Sequence, residues 1–492
     1  MDPHEEREPA GRAGQDGQDG QDGQDGRAWQ DGRAWQDGAG TTADTAVDTA
    51  VDTAVETATG TVVDTRPGAE PPPAARTPRT VGVVWGLLVL NTLGSAGAET
   101  IVPLPRSLIQ MVTMGALVLA FALALLVNPR LRVRGGAFLS LLTLLLVSSV
   151  LSSAGLGSGF GALFRCGRLA LFLGTLWLLS RWWDGSHTFV RHHIRAYFLV
   201  LGSVAAGALV SPGTALPDLY GGRLVGALWP LTPPQIGQYA AVITGLAVLL
   251  LLGRRTDRRS ATVVVVPSLV LLALTHTRTA TLGLLVGLLL AIGSLFLSSA
   301  AARRFFTWTV VVAAVAAVGF GSALQAWFLR GQDEENFSSL TGRAKVWHAL
   351  LDAPRTVTEQ VFGTGLGDKS FDGLPIDNSW LAVYHEQGLL GVSLIATALL
   401  VLGTVALLRP PSLSRACALF LISYCALASY TEAGLGDASP YLLHLAVAAS
   451  LLVPPAPAPA PPAAPAAPDA APRTPGPPRR RVPRWARKPE VP

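Results

Sequence analysis

The chain has 492 residues, of which half are hydrophobic and only 14% are charged. Soluble proteins carry about 25% charged residues, so this balance excludes an ordinary soluble domain and predicts an integral membrane protein. The formal net charge of +5 comes largely from arginines in short loops between apolar segments, and it therefore does not predict nucleic-acid binding.

The two ends of the chain differ in composition from the rest. Residues 1–80 consist of short Gln-Asp-Gly and Thr-Ala-Val-Asp repeats, with 16 acidic and 7 basic residues up to Arg79. Residues 454–492 are rich in proline and alanine and end in a basic cluster. Neither segment has enough large apolar side chains to bury a core, so we expect two disordered tails.

Between the tails, hydropathy predicts an all-α polytopic membrane protein with about twelve transmembrane helices. The first nine fall within residues 81–329 and the last three within residues 379–453, separated by a long polar loop at 330–378. The predicted spans lie near 81–97, 108–128, 136–154, 163–180, 195–211, 236–252, 261–275, 279–298, 307–328, 379–408, 414–431 and 438–453.

The arginines of alternate loops predict the orientation. Five short loops on one side carry fourteen of them, and the positive-inside rule makes that side cytoplasmic. We therefore expect a multi-pass protein of the plasma membrane, with both termini in the cytoplasm and the 330–378 loop outside. The arginines of the five loops are Arg130, Arg132, Arg134, Arg181, Arg191, Arg195, Arg254, Arg255, Arg258, Arg259, Arg303, Arg304, Arg409 and Arg415.

Arginines on the outer side need a different explanation. Arg278 stands between two apolar runs, where an ionisable group is costly unless it is paired or faces a cavity. Arg223 precedes Pro233 and Pro234, which predict the start of the next helix. Arg343 opens a predicted surface helix in which Ala344, Trp347 and Leu351 recur at helical spacing.

Snorkelling or structural ion pairing is one interpretation of these arginines. The other is a site for an anionic ligand, because guanidinium forms bidentate bonds to phosphate oxygens.

The rest of the long loop offers turn and capping motifs. Gly363-Thr364-Gly365-Leu366-Gly367 does not follow a parallel strand and open a helix, so it predicts a tight turn with positive φ rather than a nucleotide site. Asp377-Asn378, where the loop re-enters the membrane, predicts either a helix cap or a general base beside the arginines.

Histidines and cysteines do not predict a metal site or a disulfide framework. The histidines His276, His348 and His385 lack metal-ligand spacing. The three cysteines, Cys166, Cys417 and Cys425, lie within or beside apolar segments and are expected to be free and buried.

In this order and on this side of the membrane, the motifs resemble the O-antigen ligase and polymerase family of bacterial membrane glycosyltransferases, over about residues 222–408. The resemblance implies that a glycan moves from a polyprenyl-diphosphate carrier to an acceptor hydroxyl at the outer leaflet, without a metal or nucleotide cofactor. The motifs are Arg223-Leu224-Val225-Gly226, Thr277-Arg278, Thr341-Gly342-Arg343 with Trp347, Phe362 to Gly367, Asp377-Asn378-Ser379-Trp380-Leu381, and Glu386-Gln387-Gly388-Leu389-Leu390-Gly391.

The resemblance also implies roles for individual residues. Arg223, Arg278 and Arg343 would bind the diphosphate, and Arg278 would also act in catalysis with Asp377 and Asn378. The family usually has His-Asn at the position of Asp377-Asn378, and Pro-Asn at that of Pro233-Pro234. Asp377 would accept the acceptor's proton or position the acceptor. His385 and Lys345 are accessory candidates, His385 lying two helical turns beyond Asn378.

Several alternatives remain open at the level of sequence. A ligase and a polymerase are equally compatible with these motifs, and the acceptor is a glycan, a lipid or a wall polymer. A transporter or flippase of lipid-linked sugars would share the apolar spans and the outward arginines, but such proteins often contain internal repeats, and none is visible here. A non-catalytic membrane scaffold is the third class.

Overall fold

A computed structural model describes residues 77–94, 99–155, 159–296, 299–309, 311–312, 315, 343–367 and 369–454. The predicted tails outside 77–454, most of the predicted ninth span at 307–328, and loop residues 330–342 lie outside this described part. Its helices are α1 Arg79–Thr92, α2 Arg106–Val127, α3 Ala137–Gly155, α4 Gly159–Leu179, α5 Thr188–Val210, α6 Pro212–Ala215, α7 Pro233–Leu252, α8 Arg258–Thr275, α9 Arg278–Leu295, α10 Arg343–Asp352, α11 Val357–Phe362, α12 Ser379–Leu408, α13 Leu413–Ala428 and α14 Pro440–Leu451.

The chain is a helical membrane protein. In the described part, eight helices are long and apolar enough to cross a bilayer: α2, α3, α4, α5, α7, α8, α9 and α12. Three further apolar helices, α1, α13 and α14, are shorter, with 14, 16 and 12 residues. The described residues also include one pair of two-residue antiparallel strands, β1 Ser370–Phe371 and β2 Leu374–Pro375, which the all-α prediction did not contain.

Short polar motifs determine where the helices begin. At α7, the backbone N–H of Thr232 donates to Oε1 of Gln235 at 3.1 Å, and Pro233 occupies the first helical position, as the sequence predicted. Between α8 and α9, His276 adopts a left-handed conformation with φ of 49°, so the chain reverses within two residues before Arg278. These starts place Pro233 and Arg278 at the same end of the bundle.

Small residues allow the central helices to approach closely. Gly245 of α7 and Gly287 of α9 both face the ring of Phe420 on α13, and Gly283 of α9 faces Tyr424. Close contact of this kind is a main source of helix association in a membrane, where burial of apolar surface contributes little. The three cysteines are free and buried in this bundle, as predicted.

A chain of buried rings joins four helices. Trp85 Nε1 donates to His193 Nδ1 at 3.2 Å, and His193 Nε2 lies 2.8 Å from His444 Nδ1. The other ring nitrogen of His444 lies 3.0 Å from the side-chain amide of Gln238. Because a polar group in a membrane core is costly without a partner, these bonds specify how α1, α5, α7 and α14 pack.

The arginine-bearing loops contact one another. Ser414 Oγ donates to the carbonyl of Gly185 at 3.1 Å, and an Arg409 guanidinium nitrogen donates to the carbonyl of Leu451 at 3.2 Å. Both contacts join segments that the sequence assigned to one side of the membrane.

The loops predicted to face the other way also contact one another. The N–H of Leu224 donates to the carbonyl of Leu274 at 3.1 Å, and the N–H of Ile101 donates to the carbonyl of Ala227 at 2.9 Å. Each of these four contacts therefore joins segments that the sequence assigned to the same side of the membrane.

The described part of the long loop is folded. The predicted helix at 343–351 is present as α10, and its position on the membrane surface stays a prediction. Leu350 is fully buried against Ile376 and Ala382, whereas Leu351 is 55% exposed. Leu350 thus attaches α10 to the segment that precedes α12.

Candidate functional site

Three arginines from distant parts of the chain gather at one place. Burial lowers the pKa of Arg223, and the charges of Arg343 and Arg278 lower it further, whereas the charge of Glu432 raises it. These interactions require Arg343, Arg278 and Glu432 each to lie near Arg223. The structure therefore brings together the three arginines that the sequence assigned to one anionic ligand.

Arg223 is fixed by the junction between α8 and α9. Its Nε donates to the carbonyl of Thr275 at 2.9 Å, and a terminal nitrogen donates to Oγ1 of Thr277 at 3.4 Å. Thr277 is buried, and its hydroxyl also donates to the carbonyl of Pro233 at 3.2 Å. The guanidinium of Arg223 is thus held beside the first turns of α7 and α9.

Arg343 reaches the same place from α10 through an ion pair with Asp377. Its Nε lies 3.1 Å from Oδ2 of Asp377, and the two side chains are 27% and 38% exposed. Among the described residues this is the only hydrogen bond of the Arg343 guanidinium. Asp377 therefore orients Arg343 and is itself engaged by a cation.

The N-termini of three helices add to the positive electrostatic potential of the arginine cluster. α7, α9 and α12 begin at Pro233, Arg278 and Ser379, and Thr279 in the first turn of α9 contacts Thr431 at 2.7 Å between hydroxyl oxygens. Helix N-termini carry partial positive charge and favour anions. The site is thus suited to an anion with several oxygens.

Asn378 is a structural cap in this arrangement. Its Oδ1 accepts from the N–H groups of Trp380 and Leu381 at 2.9 and 3.1 Å, and its Nδ2 donates to the carbonyl of Tyr430 at 3.1 Å. The side chain is buried and its acceptor oxygen is used within the fold. Asn378 therefore positions Asp377 and the loop after α13, and the capping interpretation of this motif describes it well.

Sequence reasoning missed Glu432, which lies in that loop. Burial raises the pKa of its carboxyl to about 7, with a further increase from Asp377, while Arg343 and Arg223 lower it. The predicted span 414–431 ended beside it, whereas α13 ends at Ala428. The sequence offers no signal that singles out Glu432, because a carboxylate in a loop is ordinary.

The glycine motif attaches the long loop to α12. Gly363 and Gly365 have φ of 77° and 93°, which confirms the predicted turn. Gly388 breaks the helical conformation inside α12, and the carbonyl of Glu386 accepts from the N–H of Gly365 at 3.0 Å. The carboxylate of Glu386 accepts from the N–H of Gly367, also at 3.0 Å. The turn thus satisfies backbone groups that the helix break exposes.

Lys369, beside this turn, forms the second ion pair of the described residues. Its Nζ lies 3.4 Å from Oδ2 of Asp437. Although burial alone would raise the pKa of Asp437, the charges of Lys369 and Arg168 outweigh it and hold that pKa below its usual value. This ion pair connects the turn to the loop after α13, and Asp437 compensates the positive charge of Lys369.

The two accessory candidates have different surroundings. A guanidinium nitrogen of Arg355 lies 3.0 Å from Nδ1 of His385, whose ring also packs edge-on against Phe371 with centroids 5.8 Å apart. Lys345 is exposed on α10. Neither is among the charges that act on Arg223 or Glu432. His385 as a base and Lys345 as a ligand contact stay predictions.

No protein-family description matches the chain, and no curated protein is similar to it.

Proposed function

We propose that the chain is a membrane glycosyltransferase that moves a glycan from a polyprenyl-diphosphate carrier to an acceptor hydroxyl at the outer face of the plasma membrane, as an O-antigen ligase or a polysaccharide polymerase does. The observation that carries the proposal is the gathering of Arg223, Arg278 and Arg343 from three separate segments at the N-termini of α7 and α9. The motif resemblance supplies the reaction, and the arginine cluster supports a binding site for an anion.

The charges of the site suit a diphosphate leaving group. When a glycosidic bond to the carrier breaks, negative charge accumulates on the departing diphosphate, and positioned guanidinium groups stabilise it more than they stabilise the bound substrate. Arginine keeps its proton at all physiological pH values, so the three cations persist even where burial lowers the pKa, as it does for Arg223. In this scheme the arginines take the part that a divalent cation plays in other transferases.

The membrane arrangement is part of the proposal. Twelve spans with both termini cytoplasmic would put the arginine-bearing loops inside and the Arg223, Arg278 and Arg343 cluster outside. The contacts between loops that were assigned to the same side support this arrangement. A carrier lipid would then present its diphosphate at the depth where the helices α7 and α9 begin.

The reaction is tested by purified protein in detergent with a polyprenyl-diphosphate-linked glycan and a candidate acceptor. We expect a product in which the glycan is joined to the acceptor, together with free polyprenyl diphosphate. A flippase moves its substrate across a membrane and makes no such product, so turnover in detergent separates the two classes. Failure to transfer from any carrier-linked glycan would contradict the proposal.

Deletion of the gene separates a ligase from a polymerase. Loss of a ligase is expected to leave full-length polymer on the carrier lipid, whereas loss of a polymerase is expected to leave single repeat units on it. The measurement is the length distribution of carrier-linked and surface glycans in the deletion strain. An unchanged distribution in both pools would contradict a role in surface polysaccharide assembly.

Asp377 is expected to act through Arg343. In Asp377→Asn, the amide oxygen can still accept from Arg343, so transfer is expected to fall by no more than about tenfold, which corresponds to about 1.4 kcal/mol. Loss of a general base would instead cost about 10²–10⁴-fold. Initial rates of the two proteins, measured with saturating acceptor, distinguish these outcomes, and a loss above a hundredfold would return Asp377 to the role of base.

A further inference from the structure

Glu432 is held in place from two sides. Its carbonyl oxygen accepts from the hydroxyl of Ser379 at 2.6 Å, and its own N–H donates to the carbonyl of Ala428 at 3.0 Å. The preceding residue, Thr431, bonds through its hydroxyl to Thr279 at 2.7 Å. The backbone at Glu432 is therefore fixed between the first turns of α9 and α12.

The carboxyl group of Glu432 is close to the cluster but not paired within it. The charges of Arg343, Asp377 and Arg223 act on it. Yet among the described residues no cation lies within 4.0 Å of its oxygens, since the ion pairs there are Arg343–Asp377 and Lys369–Asp437. Asp377 is paired with Arg343, so Glu432 is the carboxyl group of the site that has no cation partner among the described residues.

Burial gives this group a suitable proton affinity. The pKa of Glu432 is raised to about 7, chiefly because burial disfavours the carboxylate. A general base works best when its pKa lies near the operating pH, because it is then both ionised and basic enough to accept a proton. A solvated carboxylate would be a much weaker base.

We propose that Glu432 is the general base that deprotonates the acceptor hydroxyl, an inference that rests on the proposed glycosyltransferase function. The acceptor oxygen attacks the anomeric carbon of the donor and forms the new glycosidic bond as its proton passes to the carboxylate of Glu432. The bond between the anomeric carbon and the phosphate oxygen breaks, and its electron pair leaves with the diphosphate, which Arg223, Arg278 and Arg343 stabilise. Glu432 then returns the proton to water.

The charge arrangement supports this assignment. A neutral Glu432 would leave the three arginines opposed only by Asp377, which favours binding of the dianionic donor. Ionisation of Glu432 places a negative charge beside the arginines and makes the carboxylate available for the acceptor proton. The titratable and charged groups that act on Glu432 or are influenced by its charge are Arg223, Arg343, Asp377, Tyr424 and Tyr441, with Arg278 beside them.

The pH dependence follows from the raised pKa. The base works only when ionised, so the transfer rate of the wild type is expected to fall about tenfold per pH unit below about pH 7 and to level off above it. Glu432→Gln removes the titrating group, so its residual rate should lack this acid limb and lie about 10²–10⁴-fold below the wild type at pH 8.

The experiment measures single-turnover transfer between pH 5.5 and 9 and, separately, binding of the polyprenyl-diphosphate-linked glycan, with Glu432→Gln, Glu432→Asp and the control Glu99→Gln. Glu99 is an exposed carboxylate that precedes α2, and its variant should behave as the wild type. Glu432→Gln should bind the donor as tightly as the wild type or more tightly. Glu432→Asp should keep the acid limb at a reduced rate.

Two results would overturn the assignment. One is a Glu432→Gln protein with the wild-type rate and acid limb. The other is a Glu432→Gln protein whose lost transfer is fully explained by lost donor binding, which would make Glu432 a structural partner of the arginines. A wild type without any transfer activity would instead remove the proposed function itself and the base with it, so the two failures are distinguishable.

Discussion

Arg278→Ala is expected to lower glycan transfer by at least about a hundredfold, and Arg343→Ala by a similar factor. Both guanidinium groups belong to the cluster around Arg223, and in the proposed reaction they would oppose the charge that develops on the leaving diphosphate. Without one of these cations, fewer fixed charges stabilise the leaving diphosphate. Water would have to replace the missing guanidinium, and its reorganisation costs free energy in the transition state. The measurement is the initial rate of transfer from a polyprenyl-diphosphate-linked glycan in proteoliposomes.

Arg106→Ala is the matched control for these variants. Arg106 is exposed at the start of α2, and the sequence predicts that it lies on the same outer side as the cluster. Its removal changes the net charge by the same amount and should leave the rate unchanged. Arg278→Lys keeps the charge but loses the planar fork, so an intermediate rate is expected. Full activity in Arg278→Ala, with normal insertion, would contradict the diphosphate site.

Gly363→Ala is expected to disrupt the site through the backbone. Gly363 has φ of 77° and ψ of −171°, a conformation that is essentially restricted to glycine. An added Cβ would also overlap backbone atoms of Glu386 and Gln387 at the break in α12. We expect a loss of stability on the order of 4 kcal/mol and transfer at background level. Thermal unfolding of the purified protein and its transfer rate are the measurements.

Gly373→Ala separates strain from overlap. Gly373 also has a positive φ, 75°, but an added Cβ there meets no atom within 4 Å. This variant should lose only about 1 kcal/mol of stability, because alanine is strained at a positive φ, and it should keep most of its transfer activity. Equal melting temperatures for the two alanine variants would contradict the close packing of the glycine turn on α12.

The helices were largely predictable from the sequence, whereas their ends were not. Apolar length locates a span, and Pro233 and Asn378 signal starts that the structure contains. Hydropathy placed the end of the α13 segment at residue 431, but the helix ends at Ala428. Ser429 and Tyr430 are apolar enough to extend a span, yet their backbone carbonyls accept bonds from Ser379 and Asn378 instead. Whether these carbonyls bond within a longer helix or to Ser379 and Asn378 depends on tertiary contacts.

A site residue was predictable from the sequence where a charged side chain stands in an unusual place, such as beside an apolar run. Arg278 at the start of an apolar run is costly, and that cost pointed to a cluster before any contact was known. Glu432 gave no comparable signal because it stands in a loop where a carboxylate is ordinary. Its raised pKa comes from burial, and the two arginines whose charges act on it lie more than eighty residues away in sequence. The burial of Leu350 against Ile376 is likewise a tertiary contact that helical spacing alone does not contain.

Binding of polyprenyl diphosphate to the purified protein tests the central claim most directly. The claim is that Arg223, Arg278 and Arg343 form one site for the carrier's diphosphate. We predict saturable binding by the wild type and by Arg106→Ala, and at least about a tenfold weaker affinity in each single alanine variant of the three arginines, since a charge-assisted bond contributes about 1.5–3 kcal/mol. Undiminished binding by all three variants would contradict the account.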